Sequence, residues 1–374
     1  MHIATFLEAV SEFSGGAHTF EADVLEGVRH VAVQGKHRFT LCVPFGRGAV
    51  VRKWVPDVVG VAELPEVRRP APERRSLKNR VFARLGLSRP VAASSNGRTV
   101  GDVFRECKID FAWMTYPHAP VVDIPYLATI WDLQHRLQPV FPEVTTSGWT
   151  WEQREQHYSR YIPRSTAIIT GTEEGKSEIA LFYRVPSERI AVIPLPTPKF
   201  PAEVPATREQ CIEHLKERYQ LPPSYLLYPA QFWPHKNHVG AILTLAELRN
   251  RHAVDCPLVC VGADQGNLDF VKEEAARRGV ADLLHFCGYI PRVDLGCLYR
   301  AAEALLFPSF FGPDNLPPLE AFSLGCPVIA ANVPGAAEQL GDAALLVNPT
   351  DPQEMAAAVL KLRHDPEMKK TLIA

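Results

Sequence analysis

The sequence predicts an α/β protein of two Rossmann-like, doubly wound domains that face each other across a cleft. Short apolar runs alternate with helical stretches over the first half, a proline-rich stretch follows at 194–205, and the alternation then starts again. Such alternation is typical of a parallel sheet covered by helices on both faces. A chain of 374 residues is also long for one core. We therefore predict an N-terminal domain over 1–203 and a C-terminal domain over 204–374.

The predicted elements follow this pattern in both halves. Candidate strands in the first half are 2–7, 29–34, 39–43, 110–114, 126–130 and 166–170. Those in the second half are 225–230, 257–263, 283–288, 304–309 and 327–331. Amphipathic segments between the latter are predicted helices, such as the one that ends at Gly279, because glycine is favoured just past a helix C-terminus. The last segment, 352–374, is also predicted as helix.

Bulk composition excludes several classes of protein. The formal net charge of −2 provides no global basic field for nucleic acid, and no run approaches the ~20 apolar residues of a membrane span. The N-terminus lacks the basic start and cleavage site of a signal peptide. None of the eight cysteines forms a CxxC pair, so we predict a reduced, cytoplasmic protein without a disulfide framework or structural zinc.

The segment LYPAQFWPHKNH (227–238) joins a strand to a helix that starts near Asn237. Ligands of open α/β sheets bind beyond the carboxyl ends of the strands. Lys236 lies there beside a helix N-terminus, an arrangement that suits a diphosphate, and Trp233 and His235 are placed to frame the pocket. A solvent-exposed turn lysine explains the segment equally well.

The segment FPSFFGPDNLPPLEAFSLGCPVIAA (307–331) places a strand, a loop, a helix and a strand in close order. Asn315 is a candidate N-cap, and Pro317 and Pro318 suit the first helical turn. Glu320 is expected in that first turn, where its carboxylate could accept two hydrogen bonds from a ribose diol. A favourable interaction with the helix dipole is the simpler alternative.

Together these segments resemble the donor half of glycosyltransferase family 4 (group 1), whose fold is GT-B. The order is that of the family over roughly residues 225–360. It runs from the strand–turn–Lys236 segment through FCGYI (286–290) to LPPLEA, LGCPVI and PGAAEQLG. The resemblance implies an N-terminal domain that binds the acceptor and a C-terminal domain that binds a nucleotide sugar.

The resemblance also implies roles by position. Lys236 neutralises the donor diphosphate and Glu320 holds the ribose. Backbone groups of Asn315 and Leu316 approach the phosphate or the sugar, and Tyr289 and Ile290 line the base pocket. No metal is expected, because the lysine and helix N-termini carry the charge of a cation. The co-substrate is a nucleotide-diphosphate sugar, and similarity to mannosyl- and rhamnosyltransferase-like sequences favours GDP-mannose.

Two positions depart from the family pattern. Gln231 stands where the family has an arginine five residues before the lysine. Gly312 stands where the family has the first glutamate of its Glu–seven residues–Glu motif. Asp314 and Asn315 lie nearby and are expected to contact the donor sugar instead. Loss of one cation could weaken diphosphate binding by about a few kcal/mol, unless another arginine such as Arg292 reaches in.

The N-terminal half carries weaker matches to the family. Gly15 and Gly16 follow the first strand, where backbone can approach a phosphate or acceptor, although such pairs are common in turns. His118 matches the acceptor-side histidine of the family, with a structural role as the alternative. Asp132 and His135 match its Asp–Leu–Gln–His pattern on the acceptor side. In 169–179, Thr172 is expected to cap a helix that has Glu174 in its first turn.

A basic amphipathic stretch, 68–90, has eight Lys or Arg and one Glu. One interpretation is peripheral docking on the anionic inner face of the membrane, where lipid-linked acceptors lie. A surface helix with a mobile loop is the alternative.

The family's reaction retains the anomeric configuration. The implied acceptor is a saccharide or lipid-linked saccharide of a cell-surface polysaccharide such as lipopolysaccharide. One alternative is another enzyme of this architecture, an epimerase or a phosphorylase. The other is a donor-binding domain with weak or no catalysis within a larger assembly, because Gln231 and Gly312 replace expected charged residues.

Overall fold

The computed structural model of the chain describes residues 1–8, 16–66, 98–146 and 149–373. The basic stretch 68–90 and Gly15 therefore lie outside the described residues. In the parts described, no helix is long and apolar enough to cross a membrane. All eight cysteines are unpaired in the structure.

Within the described residues the first sheet has seven strands: β1 His2–Phe6, β2 Arg38–Val43, β3 Val59–Glu63, β4 Phe111–Met114, β5 Tyr126–Thr129, β6 Ala167–Thr170 and β7 Ile190–Val192. Their order is β3-β2-β1-β4-β5-β6-β7, and the pairings from β3 to β5 are parallel. Ile3 of β1 lies opposite Phe39 on one side and Phe111 on the other. The order changes direction between β1 and β4, so their carboxyl ends form the switch point of this sheet.

The helices that accompany this sheet are α1 Gly16–Val33, α2 Gly48–Arg52, α3 Val100–Cys107, α4 Gln134–Leu137, α5 Glu143–Thr146, α6 Trp151–Arg164 and α7 Glu173–Tyr183. Thr172 caps α7 as predicted, because its side chain accepts a hydrogen bond from the backbone N–H of Gly175 at 3.0 Å. Thr99 and Asp102 form a capping box at the start of α3.

The second sheet has six strands: β8 Leu226–Pro229, β9 Leu258–Val261, β10 Leu284–Gly288, β11 Ala304–Phe307, β12 Val328–Ala331 and β13 Ala344–Val347. Their order is β10-β9-β8-β11-β12-β13, and every neighbouring pair is parallel. The order changes direction between β8 and β11, which pair at Leu226 with Ala304 and Leu227 with Leu305. Their carboxyl ends therefore form the switch point where a ligand is expected.

The helices of this part are α8 Arg208–Tyr219, α9 His238–His252, α10 Leu268–Arg277, α11 Arg292–Ala301, α12 Leu316–Ser323, α13 Ala336–Leu340, α14 Pro352–His364 and α15 Pro366–Ile373. The C-terminal segment is two helices because Asp365 ends α14 and Pro366, which lacks an N–H to donate, begins α15.

Several sequence-based assignments need correction. The predicted strand 29–34 is wrong, because these residues belong almost entirely to α1. The buried side chains Val24, Val28 and Ala32 recur every four residues, which is the spacing of one helix face. The sequence reading missed β3, β7 and β13, all short strands.

The chain divides into two compact units, Met1–Thr129 with Arg160–Ile168, and Ile130–Ser159 with Ile169–Ala374. A hydrophobic core of the first unit packs α1 against β2 and β3. That of the second surrounds β8 to β13. The boundary predicted between residues 203 and 204 remains a prediction; the second unit also includes segments that precede it.

Candidate functional site

The turn that carries Lys236 is fixed at the switch point of the second sheet. Pro234–Lys236 form one 3-10 turn, and Asn237 follows in the left-handed region with φ 55°. Asn237 is buried and caps α9 by accepting a hydrogen bond from the Gly240 N–H at 2.9 Å. Its Nδ2 donates to the carbonyl oxygens of Pro308, at 3.0 Å, and Pro349, at 2.9 Å. Asn237 thereby connects the lysine turn to loops that follow β11 and β13.

The Lys236 side chain is only partly exposed, and its Nζ lies 5.4 Å from the centroid of the Phe307 ring. Burial lowers the pKa of its amine to about 8, against the opposing attraction of Asp132 and Glu143. A lysine of this kind is a cation at neutral pH with little water around it. Such a group interacts strongly with an incoming anion.

An ionisable pair, Glu143 and His235, lies beside Lys236. Glu143 Oε1 accepts a hydrogen bond from the His235 backbone N–H at 3.0 Å and also bonds the His235 ring at Nδ1. The His235 carbonyl oxygen accepts from the Phe310 N–H at 2.8 Å. Burial opposes ionisation of Glu143, but these bonds from His235 lower the pKa of its carboxyl overall. The sequence pattern indicated His235 but not Glu143, which lies 92 residues away in the sequence.

The loop after β11 is organised around Gln339 of α13. Gln339 Nε2 donates to Asp314 Oδ1 at 2.5 Å and to the Asn315 carbonyl at 3.0 Å. Gln339 Oε1 accepts from the Asn315 backbone N–H at 3.0 Å. The backbone N–H predicted to approach a phosphate is therefore already used within the protein. Asp314 also accepts from the Leu195 N–H at 3.1 Å.

Asn315 occupies the N-cap position of α12, but its side chain makes no capping bond. Its Nδ2 donates to the Gly312 carbonyl oxygen at 2.5 Å. Leu316 is the first residue of α12 and Pro317 and Pro318 follow, as predicted. The structure contains a narrow space next to this loop, lined mainly by Ser309, Asn315, Val333, Gln339 and neighbouring apolar side chains.

Glu320 lies in the second turn of α12, not in the first, because the helix begins at Leu316. Its buried carboxylate accepts hydrogen bonds from Arg292 Nη1 at 2.5 Å and from the Tyr299 hydroxyl at 2.7 Å. The Arg292 guanidinium also lies over the Phe200 ring, 3.9 Å from its centroid. Arg292 is therefore bound to Glu320 through Nη1, while its Nη2 is buried without a hydrogen-bond partner among the described residues; its reach to the diphosphate stays a prediction.

Three other predicted donor residues have distinct surroundings. Gln231 Oε1 accepts from Trp233 Nε1 at 2.9 Å, which holds the amide against the lysine turn. Tyr289 is half exposed, next to Gly288 in its left-handed conformation (φ 64°). Ile290 is buried in the hydrophobic core, and its place in the base pocket stays a prediction.

The acceptor-side predictions fall in both units. Gly16 is the first residue of α1, after β1. His118 follows β4 in the first unit, is 46% exposed and pairs with Glu8 through Nε2 and Oε2 at 2.5 Å. This pair lies beyond the ends of β1 and β4, the switch point of the first sheet.

Asp132 and His135 belong to the second unit. Asp132 Oδ1 accepts from the Gln134 N–H at 2.9 Å. His135 is 1% exposed and its Nε2 bonds Glu155 Oε1 at 2.6 Å. Burial lowers its pKa, and no ring surface is left for an acceptor, so the acceptor-side role predicted for His135 needs correction.

No group of three or more His, Cys, Asp and Glu in the described ranges is arranged to hold a metal ion. The groups described at the second switch point are one partly exposed lysine, one histidine–carboxylate pair and a loop fixed by amide hydrogen bonds.

Residues 212–374 match the family model described as glycosyl transferases group 1. The chain is 31% identical over 222 residues to O-antigen chain mannosyltransferase B of Escherichia coli, which covers 59% of this chain and 57% of the relative. It is 27% identical over 217 residues to the serotype-specific mannosyltransferase WbdA of Escherichia coli, covering 56% of this chain and 26% of the relative. The chain thus spans a little over half of one relative and about a quarter of the other.

Solved structures show the same architecture. Anabaena HepE in complex with UDP and glucose superposes with a TM-score of 0.70 at 19% identity, over 100% of this chain and 92% of that one. WaaG, a glycosyltransferase involved in lipopolysaccharide biosynthesis, gives a TM-score of 0.66 at 16% identity, over 100% and 93%. The fold is therefore the two-sheet GT-B fold.

Proposed function

We propose that the chain is a group 1 glycosyltransferase, as its match to that family model over residues 212–374 indicates, and that it transfers a hexose from a nucleotide-diphosphate sugar to a saccharide or lipid-linked saccharide. Mannose is the favoured sugar, because the relatives just described are named mannosyltransferases. We infer that the acceptor is an intermediate of cell-surface polysaccharide synthesis, because one of these relatives is named an O-antigen chain mannosyltransferase.

The observation that carries this proposal is the position of Lys236. It lies at the carboxyl end of β8, where the strand order changes direction, directly before the N-terminus of α9. Burial lowers the pKa of its amine only to about 8, because nearby carboxylates oppose the shift, so it is charged at neutral pH. A diphosphate placed here interacts with this cation and with the positive end of the helix dipole.

In the proposed reaction the acceptor hydroxyl oxygen forms a bond to the anomeric carbon of the sugar. The bond from that carbon to the diphosphate breaks on the same face, which retains the configuration. The acceptor proton passes to the leaving diphosphate. Lys236 stabilises the negative charge that develops on the diphosphate, and we expect no requirement for a metal ion.

Glu320 takes part by holding the ribose diol in this proposal. Its two oxygens already accept hydrogen bonds from Arg292 and Tyr299, which fix the orientation of the carboxylate. Each carboxylate oxygen can accept a further bond. Exposed Tyr289 is a candidate to contact the base, and His118, on the first unit, is the candidate for the acceptor side.

A second candidate function is nucleotide-sugar binding with little or no turnover. Two features favour it: Gln231 supplies no charge beside Lys236, and Gly312 supplies no carboxylate in the loop after β11. We favour the active enzyme because the loop around Gly312 has its own network of hydrogen bonds to Asn315, Asp314 and Gln339.

The test combines binding with turnover. The purified chain is titrated with GDP-mannose, GDP-fucose, UDP-glucose and UDP-galactose, and stability is followed by thermal shift. The true donor raises the melting temperature by mass action. Transfer is then measured with mannose-containing saccharide and lipid-linked acceptors, in the presence of EDTA. Binding without transfer to any acceptor supports the second candidate function, and no binding at all refutes both.

Lys236→Ala is the matched variant. We expect it to lower kcat/KM by about a hundredfold or more, as for loss of one preorganised charge at a transition state, with little change in melting temperature. Lys199→Ala, in an exposed segment of the same unit, is the control. Full activity in Lys236→Ala would show that the donor site lies elsewhere.

A further inference from the structure

In the donor site proposed above, one of the two negative charges of the diphosphate has no protein cation assigned to it. Family 4 sequences place an arginine where this chain has Gln231, and the Gln231 amide is bonded to Trp233. Arg292, the other candidate cation, is bound to the Glu320 carboxylate. A diphosphate carries two negative charges at neutral pH, so Lys236 alone leaves it incompletely neutralised.

His235 directly precedes Lys236 in the sequence, and its side chain can become a cation. Its backbone is fixed from both sides, since its N–H donates to Glu143 and its carbonyl accepts from Phe310. Its ring is oriented by the bond from Nδ1 to Glu143 and by an edge contact with Phe141, 6.2 Å between centroids. Among the described residues no side chain or backbone group bonds the other ring nitrogen, Nε2.

Glu143 is arranged to favour a charge on that ring. It is 5% exposed, its Oε1 takes both bonds to His235, and its Oε2 is buried without a hydrogen-bond partner among the described residues. A buried carboxylate with one unsatisfied oxygen gains from a neighbouring positive charge. A carboxylate bonded to one ring nitrogen also fixes the tautomer and directs the other nitrogen outward.

The charged groups that face His235 are Glu143, Lys236 and Asp132. Burial lowers the pKa of His235; Glu143 and Asp132 raise it, and Lys236 lowers it. The ring is therefore neutral at neutral pH in the free protein. An arriving anion adds a negative charge beside it and favours the protonated form.

We propose that His235, oriented by Glu143, binds the donor diphosphate through Nε2 as the second cation of the site, in place of the arginine missing at position 231. The inference rests on the donor site of the proposed function. In it His235 is a binding residue that takes up a proton when the donor binds, and Glu143 is its positioning residue.

The test is isothermal titration of the whole chain with GDP-mannose and UDP-glucose, whose diphosphates carry no proton that titrates near neutral pH. Titrations at about pH 7 in buffers of different ionisation enthalpy give the number of protons taken up. We expect an uptake approaching one proton in the wild type, since a lysine of pKa about 8 is already some nine-tenths charged there. His235→Gln and Glu143→Gln should each reduce the uptake to below about one third of the wild-type value.

Affinity provides the second measurement. His235→Gln should weaken nucleotide-sugar binding about tenfold, the size expected for one charge-assisted hydrogen bond, and weaken GMP or UMP much less. Adding Gln231→Arg to His235→Gln should restore most of the affinity without restoring proton uptake. A merely structural His235 would give neither the loss of uptake nor this rescue.

His214→Gln is the matched control, because His214 bonds the buried carboxylate of Asp294 in the same way at 2.6 Å but lies on α8. It should leave affinity and uptake unchanged. If the wild type bound the nucleotide sugar but took up no more protons than His235→Gln, the role of His235 would be overturned and the donor site would stand. Absence of binding by the wild type to both nucleotide sugars would overturn the donor site itself.

Discussion

Asn315 Nδ2 donates a hydrogen bond to the carbonyl oxygen of Gly312 at 2.5 Å, and the Asn315 amide fills the space that a side chain at position 312 would need. A Cβ at this position would lie 2.3 Å from Asn315 Oδ1, and Gly312 has φ +132°. The family's glutamate could not be introduced here without rebuilding the loop. The departure from the family motif is therefore part of a different loop conformation.

We expect Gly312→Ala and Gly312→Glu to destabilise the protein by about 1–3 kcal/mol, because the backbone conformation is strained for any residue with a Cβ. They should also weaken nucleotide-sugar binding, since Asn315 must move. Thermal unfolding and titration of the donor measure both effects.

Gly279→Ala is the control for this prediction. Gly279 has φ +70° but nothing within 4 Å of an added Cβ, so its cost is limited to that of a left-handed residue, about 1 kcal/mol. If Gly312→Ala and Gly279→Ala lowered the free energy of unfolding equally, the contact with Asn315 would not contribute to the destabilisation.

Local sequence pattern predicted much of the second sheet and the place of Lys236 correctly. Strand β8, the turn and helix α9 follow one another within 30 residues, and each has its own periodicity or cap. The same approach failed at 29–34, where alternating valines suggested a strand. Val33 is 66% exposed at the end of α1, so this alternation does not report burial.

The side-chain contacts within the site could not be predicted from local sequence pattern. Glu143 and His235 are 92 residues apart, and Asn315 and Gln339 are 24 apart, so their pairing depends on strand order. The engagement of Arg292 by Glu320 likewise depends on helices α11 and α12 packing side by side. Charge counts from the sequence could list these residues but could not assign their partners.

Lys236 provides a pH prediction for activity. Its pKa of about 8 means that the required cation is lost as the pH rises through that value in the free enzyme. A plot of kcat/KM against pH, measured in the His235→Gln background so that proton uptake by that ring does not contribute, should therefore fall on the alkaline side from about pH 8. Lys236→Arg should remove this limb, because the guanidinium stays charged.

The control for that profile is a substitution at another position of the predicted donor site. Tyr289→Phe removes a phenol from the predicted base pocket and should keep the alkaline limb. If Lys236→Arg is active and still shows the limb, another group is responsible for it.

Asp314 gives a prediction for the dependence of stability on pH. Burial, with a smaller contribution from Glu338, raises the pKa of Asp314 to about 6. The folded protein thus binds this proton more tightly than the unfolded chain does, and stability falls as the pH rises from about 4 through 6, by at most about 1.4 kcal/mol per pH unit. Asp314→Asn should remove this contribution, which urea unfolding at several pH values measures.

Glu178 must be treated in parallel, because burial raises its pKa to about 7 and it acts in the same direction. Glu178→Gln should remove the part of the pH dependence between about 5 and 7. The double variant should flatten both parts. A profile unchanged in Asp314→Asn would show that this carboxyl is solvated in the folded protein.

Asp294 tests the packing of α8 against α11. Its buried carboxylate accepts hydrogen bonds from His214 at 2.6 Å, Arg218 at 3.1 Å and the Tyr219 hydroxyl at 2.6 Å. Replacing it leaves three donors without their acceptor, so Asp294→Ala should cost about 2–4 kcal/mol of unfolding free energy. Asp282→Ala, an exposed partner of Arg249, is the control and should cost much less, because solvent screens an exposed ion pair.

The pH dependence of this effect follows from the direction of the Asp294 pKa. Burial favours the neutral acid, but the bonds from Tyr219, His214 and Arg218 lower the pKa overall. The stabilisation is therefore complete above the pKa of the unfolded chain, near 4, and is lost as the pH falls through the lower pKa of the folded state. The difference between the wild type and Asp294→Ala, measured by urea unfolding, should be constant from about pH 5 to 7 and shrink below about pH 4. A difference that stayed constant down to about pH 3 would show that the hydrogen bonds do not depend on the charge of Asp294.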